Sequence, residues 1–554
     1  MTLRYLDRGI LPNYIFQHSV FSQNAKCREE VEFMDSKTPS NAVYKEVGRV
    51  VFEGETPNLR RIKFRVLPNQ DTTVGRVLGV LGSKLTGEAI LTLIRVDQVR
   101  EHNPHEDAQS STVADVIPFE TRYAPEGRST VIYRLADAEL LEEVSLDDQG
   151  QALSISYVET LPRAGSAVVE VDPGLIARAL NLAESPDSGF DMGVLHGVPD
   201  VRAVLHRTIV QTHVFLAGGI GRGKSHARSV LAEELAAHGV PQINIDPMGE
   251  MVAATNDLGG KNVVPGKGFT LPLSALESKD VIEAIPGINP ATNIATLIEY
   301  AHNQLLQRRV LSQGEHFGVD ELVACIKEVA PILDMEKKNT LFPAIQRASS
   351  LKHIDFIGEP FSWEEELKPG RIVNIDCRGR RVPELRLIAA SVARDIQRLA
   401  RARRIPFVVF SMDEAHLVAP NDDHVVTTQV LREIARIGRH YRIGLVLTTQ
   451  SPADLDRAVL KRLLTRFIFA IEPDQLDSLR GVFADAPEGI VRTLPKLPIG
   501  TCLVTGVSET VKHAMLVKIR NRVTTAGGTT PDIFSELAAM GWKKRRELKD
   551  ILKK

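Results

Sequence analysis

Two patterns of apolar and polar positions divide this chain. Up to about residue 175, short alternating or apolar runs recur at Arg49–Phe52, Ile62-Lys63-Phe64-Arg65-Val66, Arg76–Leu81, Ile90–Val96, Thr130–Leu135, Leu153–Val158 and Ala167–Val171. Glycine, proline and polar turns separate them. Period-two runs at this spacing predict the strands of a small β-barrel or sandwich. Glu101–Thr112 reads as a mobile loop, and Glu184-Ser185-Pro186-Asp187-Ser188-Gly189 as a linker into the next unit.

From about residue 195 strands and helices alternate. His213–Ala217, Ile243–Asp246, Ile372–Asp376, Phe407–Phe410, Leu445–Leu447 and Phe467–Ile471 are continuous apolar strands. Such runs fit a parallel sheet buried on both faces. Between the second and third lies a helical stretch, about 275 to 368. Ile294, Leu297, Ile298, Ala301 and Leu305 keep helical spacing there. It reads as a helical insertion. Pro531–Lys554 predicts a helix with a basic finish at Lys543, Lys544, Arg545, Arg546, Lys549, Lys553 and Lys554. Two readings of that tail stay open: a solvated helix end, or an arm that docks on a neighbouring subunit or touches DNA.

The first apolar strand runs into Gly218-Gly219-Ile220-Gly221-Arg222-Gly223-Lys224-Ser225, a full phosphate-binding loop. A helical pattern follows, with Ala227, Val230, Leu231 and Leu235 on one face, and Gly239 and Pro241 stop it. In such a turn, backbone N–H groups wrap the β-phosphate of ATP, and the helix dipole favours the negative charge. Lys224 would reach the β- and γ-phosphates, and the Ser225 hydroxyl would ligate Mg²⁺. The nucleotide-binding set therefore runs from Gly218 to Ser225, with His226 beside it.

Phe407–Ser411 then leads into Met412-Asp413-Glu414, a strand ending in two carboxylates. This is the Walker B pattern. Asp413 would hold Mg²⁺ through its water shell, and Glu414 would polarise the attacking water. A second acid at this place argues for hydrolysis over binding alone. Gln450, after Leu445-Val446-Leu447-Thr448-Thr449, is a candidate sensor of the γ-phosphate or the lytic water. Arg439 precedes that strand and so belongs on the far edge of the subunit. There an arginine can enter a neighbour's site and offset transition-state charge. A plain surface arginine is the other reading.

Composition narrows the class. The 554 residues carry a formal net charge of −2, with 43% hydrophobic and 25% charged residues. The chain is not a basic coat for nucleic acid, so any DNA contact must use local positive charge. No apolar run is long enough to span a bilayer, and the N-terminus has no signal-like apolar stretch. Cys27, Cys325, Cys377 and Cys502 lack metal-like spacing. A cytoplasmic protein with reduced thiols is expected.

These motifs, in this order, resemble the HerA-like hexameric DNA translocases of the FtsK–HerA group, over most of the chain. Asp246-Pro247-Met248-Gly249-Glu250 resembles the family's Asp-Pro-His-Gly-Glu segment. Asp413-Glu414-Ala415-His416 resembles its Walker B. Gly438-Arg439-His440-Tyr441 resembles its Gly-Arg-Lys-Tyr with the trans finger, and Leu447-Thr448-Thr449-Gln450-Ser451-Pro452 its glutamine sensor. The resemblance implies an α/β P-loop NTPase, with a RecA-like core, an N-terminal β-barrel and an inserted helical subdomain. The expected units are 1–175 (barrel), 176–274 and 369–525 (core), 275–368 (insertion) and 526–554 (basic arm). Departures are Arg222 inside the loop, where relatives read Thr-Gly-Ser-Gly-Lys, His440 for lysine, and Thr212 where an arginine often stands. Arg207 and Arg222 are the candidate substitutes for that last charge. Asp413–His416 also spells the DEAH box of another helicase superfamily, but the long insertion before it and the Thr-Thr-Gln after it argue against that reading.

The expected function is a ring, a homo-hexamer, that translocates double-stranded DNA on ATP and Mg²⁺. Lys224, Ser225, Asp413, Glu414 and Gln450 would act in cis, Arg439 in trans, with Asp246 and Glu250 beside the site. Arg378, Arg380 and Arg381, or the loop Leu417–His424, would grip the DNA backbone. Arg398, Arg401, Arg403 and Arg404 read as a solvated helix end. The resemblance implies a partner enzyme: a NurA-like nuclease, a sirtuin-like NADase or another antiphage-defence nuclease. An ATP-regulated scaffold that switches an effector with little translocation is the alternative. A conjugative or chromosome-segregation pump is disfavoured without a membrane segment.

Overall fold

The computed structural model describes residues 44–52, 58–102, 133–311, 315–421, 425–438, 440–479, 481, 483, 486–507, 509–527, 535, 537, 539 and 540. Most of the expected loop at 101–112 and the basic tail at 531–554 lie outside these.

Seven strands open the fold: β1 (Glu46–Val51), β2 (Arg61–Val66), β3 (Val77–Ser83), β4 (Ala89–His102), β5 (Tyr133–Leu146), β6 (Ala152–Ser156) and β7 (Ala167–Val169). Their order is β2-β1-β7-β3-β4-β5-β6, and β2 also pairs β5, so six strands close a barrel and β6 hangs outside on β5. Closure leaves those six without an exposed edge. Val47, Ile62, Phe64, Leu78, Val80, Ile94, Val96 and Ala138 fill the interior.

The second sheet contains β8 (Gly189–Leu195), β9 (Val198–His206), β10 (Val214–Ala217), β11 (Gln242–Asp246), β12 (Lys261–Pro265), β13 (Gly268–Phe269), β14 (Ile372–Asp376), β15 (Val408–Met412), β16 (Ile443–Thr449), β17 (Thr465–Ile468), β18 (Thr501–Thr505) and β19 (Met515–Ile519). Its order is β13-β12-β14-β11-β15-β16-β10-β17-β18-β19-β8-β9. All pairings from β12 to β17 are parallel, whereas β17–β18, β18–β19, β19–β8 and β8–β9 are antiparallel. The sequence thus gives the parallel centre, and the structure adds an antiparallel wing. The wing strands β18 and β19 reach β17 and β8 by pairing distant in sequence and lead into no motif, so nothing local announced them. Gly189, at the end of the expected linker, already begins β8. There the Ser188 hydroxyl donates to the Ser185 carbonyl at 2.8 Å.

Strand pleating splits side chains between two cores. Phe215 and Ala217 of β10 join the core under the helical insertion, while Val214 and Leu216 join the core under the helix Lys224–Ala237. That second core also takes in Leu91, Leu93, Leu141 and Val144 from the barrel's outer wall, so barrel and sheet pack directly. Two polar ties support the contact. Buried Glu142 accepts from Lys512 Nζ at 2.9 Å and meets His513 Nε2 at 2.7 Å. Asp97 Oδ1 accepts the Ile490 N–H at 3.2 Å.

The insertion between β13 and β14 carries the helices Ser278–Ala284, Asn293–Leu305, Val319–Val329 and Lys338–Ser349. Thr292 caps Asn293–Leu305 by accepting the Ala295 N–H at 3.4 Å. Leu297, Ile298 and Ala301 lie on its buried face. Among the described residues no helix is long and apolar enough to cross a membrane.

Candidate active site

Parallel register brings the chemistry to one sheet edge. Ala217 of β10 lies beside Thr449 of β16, and Met412 of β15 beside Leu447. The phosphate loop, Asp413-Glu414 and Gln450 each follow the C-terminal end of one of these strands, the edge where open α/β sheets place ligands. β16 separates the phosphate-loop strand from the Walker B strand.

The loop's glycines have distinct reasons. Gly221 (φ +70°) and Gly223 (φ +107°) adopt left-handed backbone. A Cβ on Gly223 would lie 3.0 Å from the Gly500 Cα, and one on Gly218 would lie 2.6 Å from the Phe469 Cβ. Gly223 also begins the helix Lys224–Ala237 without any side-chain cap. Its first-turn N–H groups are therefore offered to an anion.

Lys224 Nζ lies 3.0 Å from Glu414 Oε1, with both side chains buried. Gln450 Nε2 donates to the same oxygen at 2.6 Å, and the Gln450 N–H donates to Oε2 at 3.2 Å. His416 Nδ1 sits 3.4 Å from Oε2 and 2.9 Å from the Thr449 hydroxyl oxygen. Glu414 holds this position from a left-handed backbone, φ 46° and ψ 50°. For a non-glycine residue that conformation costs on the order of 1–2 kcal/mol.

Asp413 is equally confined. Its Oδ1 accepts the Glu414 N–H at 3.1 Å and the Thr448 hydroxyl. Its Oδ2 lies 3.4 Å from Arg228 NH1. Burial pushes this carboxyl up, but Arg228, Lys224, Thr448 and the Glu414 N–H together hold it below its ordinary value. Glu250 goes the other way. Burial and the Asp413 charge raise it, against a Ser225 hydrogen bond and the charges of Arg228 and Lys224.

Asp246 and Glu250 divide the work at the end of β11. Asp246 is fully buried and spends its carboxylate on its own turn. Oδ1 accepts the N–H groups of Gly249 (2.8 Å) and Glu250 (3.1 Å), and Oδ2 accepts that of Met251 (2.9 Å). Asp246 therefore shapes the turn that presents Glu250. Arg378 lies across Gly249, where a Cβ would come within 2.4 Å of the Arg378 Cδ. His226, placed by its sequence position beside the nucleotide, has its Nε2 2.8 Å from the Arg520 carbonyl oxygen. Ile220 is exposed at the loop tip, and Arg222 is half-buried.

A family model, the central domain of helicase HerA, matches residues 190–396. The DNA double-strand break repair helicase HerA of Sulfolobus acidocaldarius is 23% identical over 367 residues, 60% of this chain and 69% of that protein. Its counterpart from Sulfurisphaera tokodaii is 22% identical over 387 residues, 63% of this chain and 72% of that protein. The probable DNA double-strand break repair helicase HerA of Methanocaldococcus jannaschii is 24% identical over 413 residues, 64% of this chain and 81% of that protein. These matches make the chain similar to HerA-like proteins of the FtsK–HerA group.

In this HerA-like chain the donor set fits a nucleotide with Mg²⁺. The uncapped helix start and Lys224 suit phosphate, and the Ser225 hydroxyl with the ionised Asp413 suits a hard cation that keeps most of its waters. Among the described residues no cluster of three or more His, Cys, Asp or Glu side chains forms a separate metal cage.

Arg439 lies outside the described residues. Gly438, just before it, follows the helix Val426–Ile437 and precedes β16, at the sheet edge opposite the site. His213 packs there. A Cβ on Gly438 would lie 3.1 Å from the His213 Cε1, and His213 Nδ1 accepts the Leu445 N–H at 3.0 Å. His213 keeps φ +64°. Burial drives its imidazole down to about 4, despite hydrogen bonds to the Ala435 and Ile434 backbone.

The expected DNA-grip arginines carry carboxylate partners. Arg378 pairs with Asp376 at 2.6 Å, Arg380 with Asp355 at 2.6 Å and Arg381 with Glu384 at 2.6 Å. In the other candidate loop, residues 422–424 lie outside the described set. Arg398, Arg401 and Arg404 pair with Asp395, Glu433 and Glu364, as a solvated helix end would.

Sequence reasoning missed Arg228. Its signal was present: it stands one helical turn after Lys224, on the same face.

Proposed function

We propose that this HerA-like chain is an ATP-driven motor on double-stranded DNA, assembled as a homo-hexameric ring. The observation that carries the reading is the contact joining Lys224, Glu414 and Gln450 at the edge where three parallel strands end. Lys224 neutralises Glu414. A γ-phosphate is the stronger claimant on the ammonium. Once Lys224 turns to it, Glu414 is free to accept a proton from the attacking water. The water oxygen then bonds to the γ-phosphorus as the bond to the β–γ bridging oxygen breaks. Gln450 bonds both Glu414 oxygens, so it reports that exchange to β16. Mg²⁺, held by Ser225 and Asp413, would neutralise phosphate charge during this step. Arg439 of a neighbouring subunit would complete the site from the far edge of its own sheet.

Duplex DNA is the proposed substrate because the HerA relatives are named as double-strand break repair helicases. Grip on the backbone would be sequence-independent and weakened by salt. A nuclease or other effector, in end processing or antiphage defence, is the proposed partner, and the cytoplasm the proposed compartment. The test is displacement of a third strand from a DNA triplex. The wild type should displace it with ATP, and Glu414→Gln should not. Failure of an ATP-hydrolysing wild type to displace it rejects the motor.

The pairing of Arg378, Arg380 and Arg381 favours a second reading, an ATP-regulated scaffold that activates an effector with little movement. In that reading a Glu414→Gln ring still activates its partner.

A further inference from the structure

Arg228 is a buried cation with little to hold it. Its side chain is 3% exposed, and its Nε donates to the Ser411 hydroxyl oxygen at 3.3 Å. Among the described residues its NH1 and NH2 have no hydrogen-bond partner, and NH1 faces Asp413 Oδ2 across 3.4 Å. A guanidinium stripped of water is unfavourable unless charge compensates it. The compensation lies toward the nucleotide site, where Asp413 and Glu250 both feel Arg228.

The charges of the site assign it a task. Three carboxylates, Asp413, Glu414 and Glu250, face two cations, Lys224 and Arg228. Glu414 takes Lys224 at 3.0 Å, which leaves Arg228 as the neighbour of Asp413. When phosphate draws Lys224 away, Arg228 stays, because it is walled in on the inner face of its helix. We infer that Arg228 is a resident counter-ion to the metal-holding Asp413, which makes nucleotide binding less dependent on Mg²⁺. This rests on the nucleotide-site reading above.

The sign follows from Coulomb's law. Without Mg²⁺, Arg228 offsets the repulsion between the carboxylates and the phosphates. With Mg²⁺, the same charge repels the metal from Asp413. Both effects narrow the gap between affinity without and with the metal. The ordinary alternative is a packing arginine that only fills space between the helix and β15.

The test is calorimetric affinity for ADP in EDTA and in saturating Mg²⁺, expressed as a ratio, on full-length protein checked for folding by circular dichroism. Arg228→Met should widen the ratio by on the order of tenfold or more, and Arg228→Lys should keep it near the wild-type value. Arg228→Gln, which keeps a donor for Ser411, serves where methionine does not fold. A ratio unchanged in the neutral variants, or widened as far by lysine, overturns the inference while leaving the nucleotide site standing. A wild type that binds no ADP in either condition overturns the nucleotide reading, and this inference with it.

Discussion

Lys224 and Glu414 meet at 3.0 Å in a buried contact, so the residue that should bind phosphate holds the residue that should activate water. The contact couples the two proposed functions. On the proposed mechanism, Glu414→Gln removes the proton acceptor and loosens the hold on Lys224. Hydrolysis should fall by about two to three orders of magnitude, while ATP affinity stays level or rises. Single-turnover hydrolysis and equilibrium binding check both halves.

Gln450 reaches both oxygens of Glu414, one through its side chain at 2.6 Å and one through its N–H at 3.2 Å. Gln450→Ala removes only the first. We expect kcat to fall roughly tenfold to a hundredfold with KM nearly constant, as for a group that positions the base. A large rise in KM with kcat unchanged would place Gln450 in binding instead.

Two buried histidines set an acid limit on stability. Burial lowers both His213 and His302 from 6.5 to about 4. Their folded forms bind fewer protons than the unfolded chain, so stability rises with pH through the window from about 4 to 6.5. Moving from pH 7 to pH 5 should cost about 2 kcal/mol for each. His213→Gln should remove its share and flatten the loss. Denaturation curves at the two pH values give the comparison.

Gly249 is required twice, by φ +73° and by the Arg378 side chain lying across it. Gly249→Ala should cost about 1–3 kcal/mol and displace Glu250 from the phosphate loop. Adding Arg378→Ala removes the clash but not the backbone strain, so the double variant should recover part of the loss. Thermal melts of the two variants report this.

Much of the centre was legible because continuous apolar strands and glycine spacing are local signals. Val214–Ala217 and Val408–Met412 stand out as buried on both faces, and each leads straight into its motif. The antiparallel wing was not, since β18 and β19 pair with β17 and β8 at long range and carry no motif. Arg228 escaped because helical spacing marks a face but not what that face meets. The carboxylates on Arg378 and Arg381 stand two and three residues away in the sequence, whereas the one on Arg380 was hidden for a similar reason. Asp355, which holds Arg380, comes from 25 residues away in the insertion.

The central claim is that this site burns ATP to act on duplex DNA. Its most direct test is the ATPase rate of the purified protein with and without duplex DNA, at low and moderate salt, beside Lys224→Ala. The account predicts hydrolysis that DNA stimulates strongly, that salt weakens, and that the variant abolishes. Robust hydrolysis indifferent to DNA would contradict it.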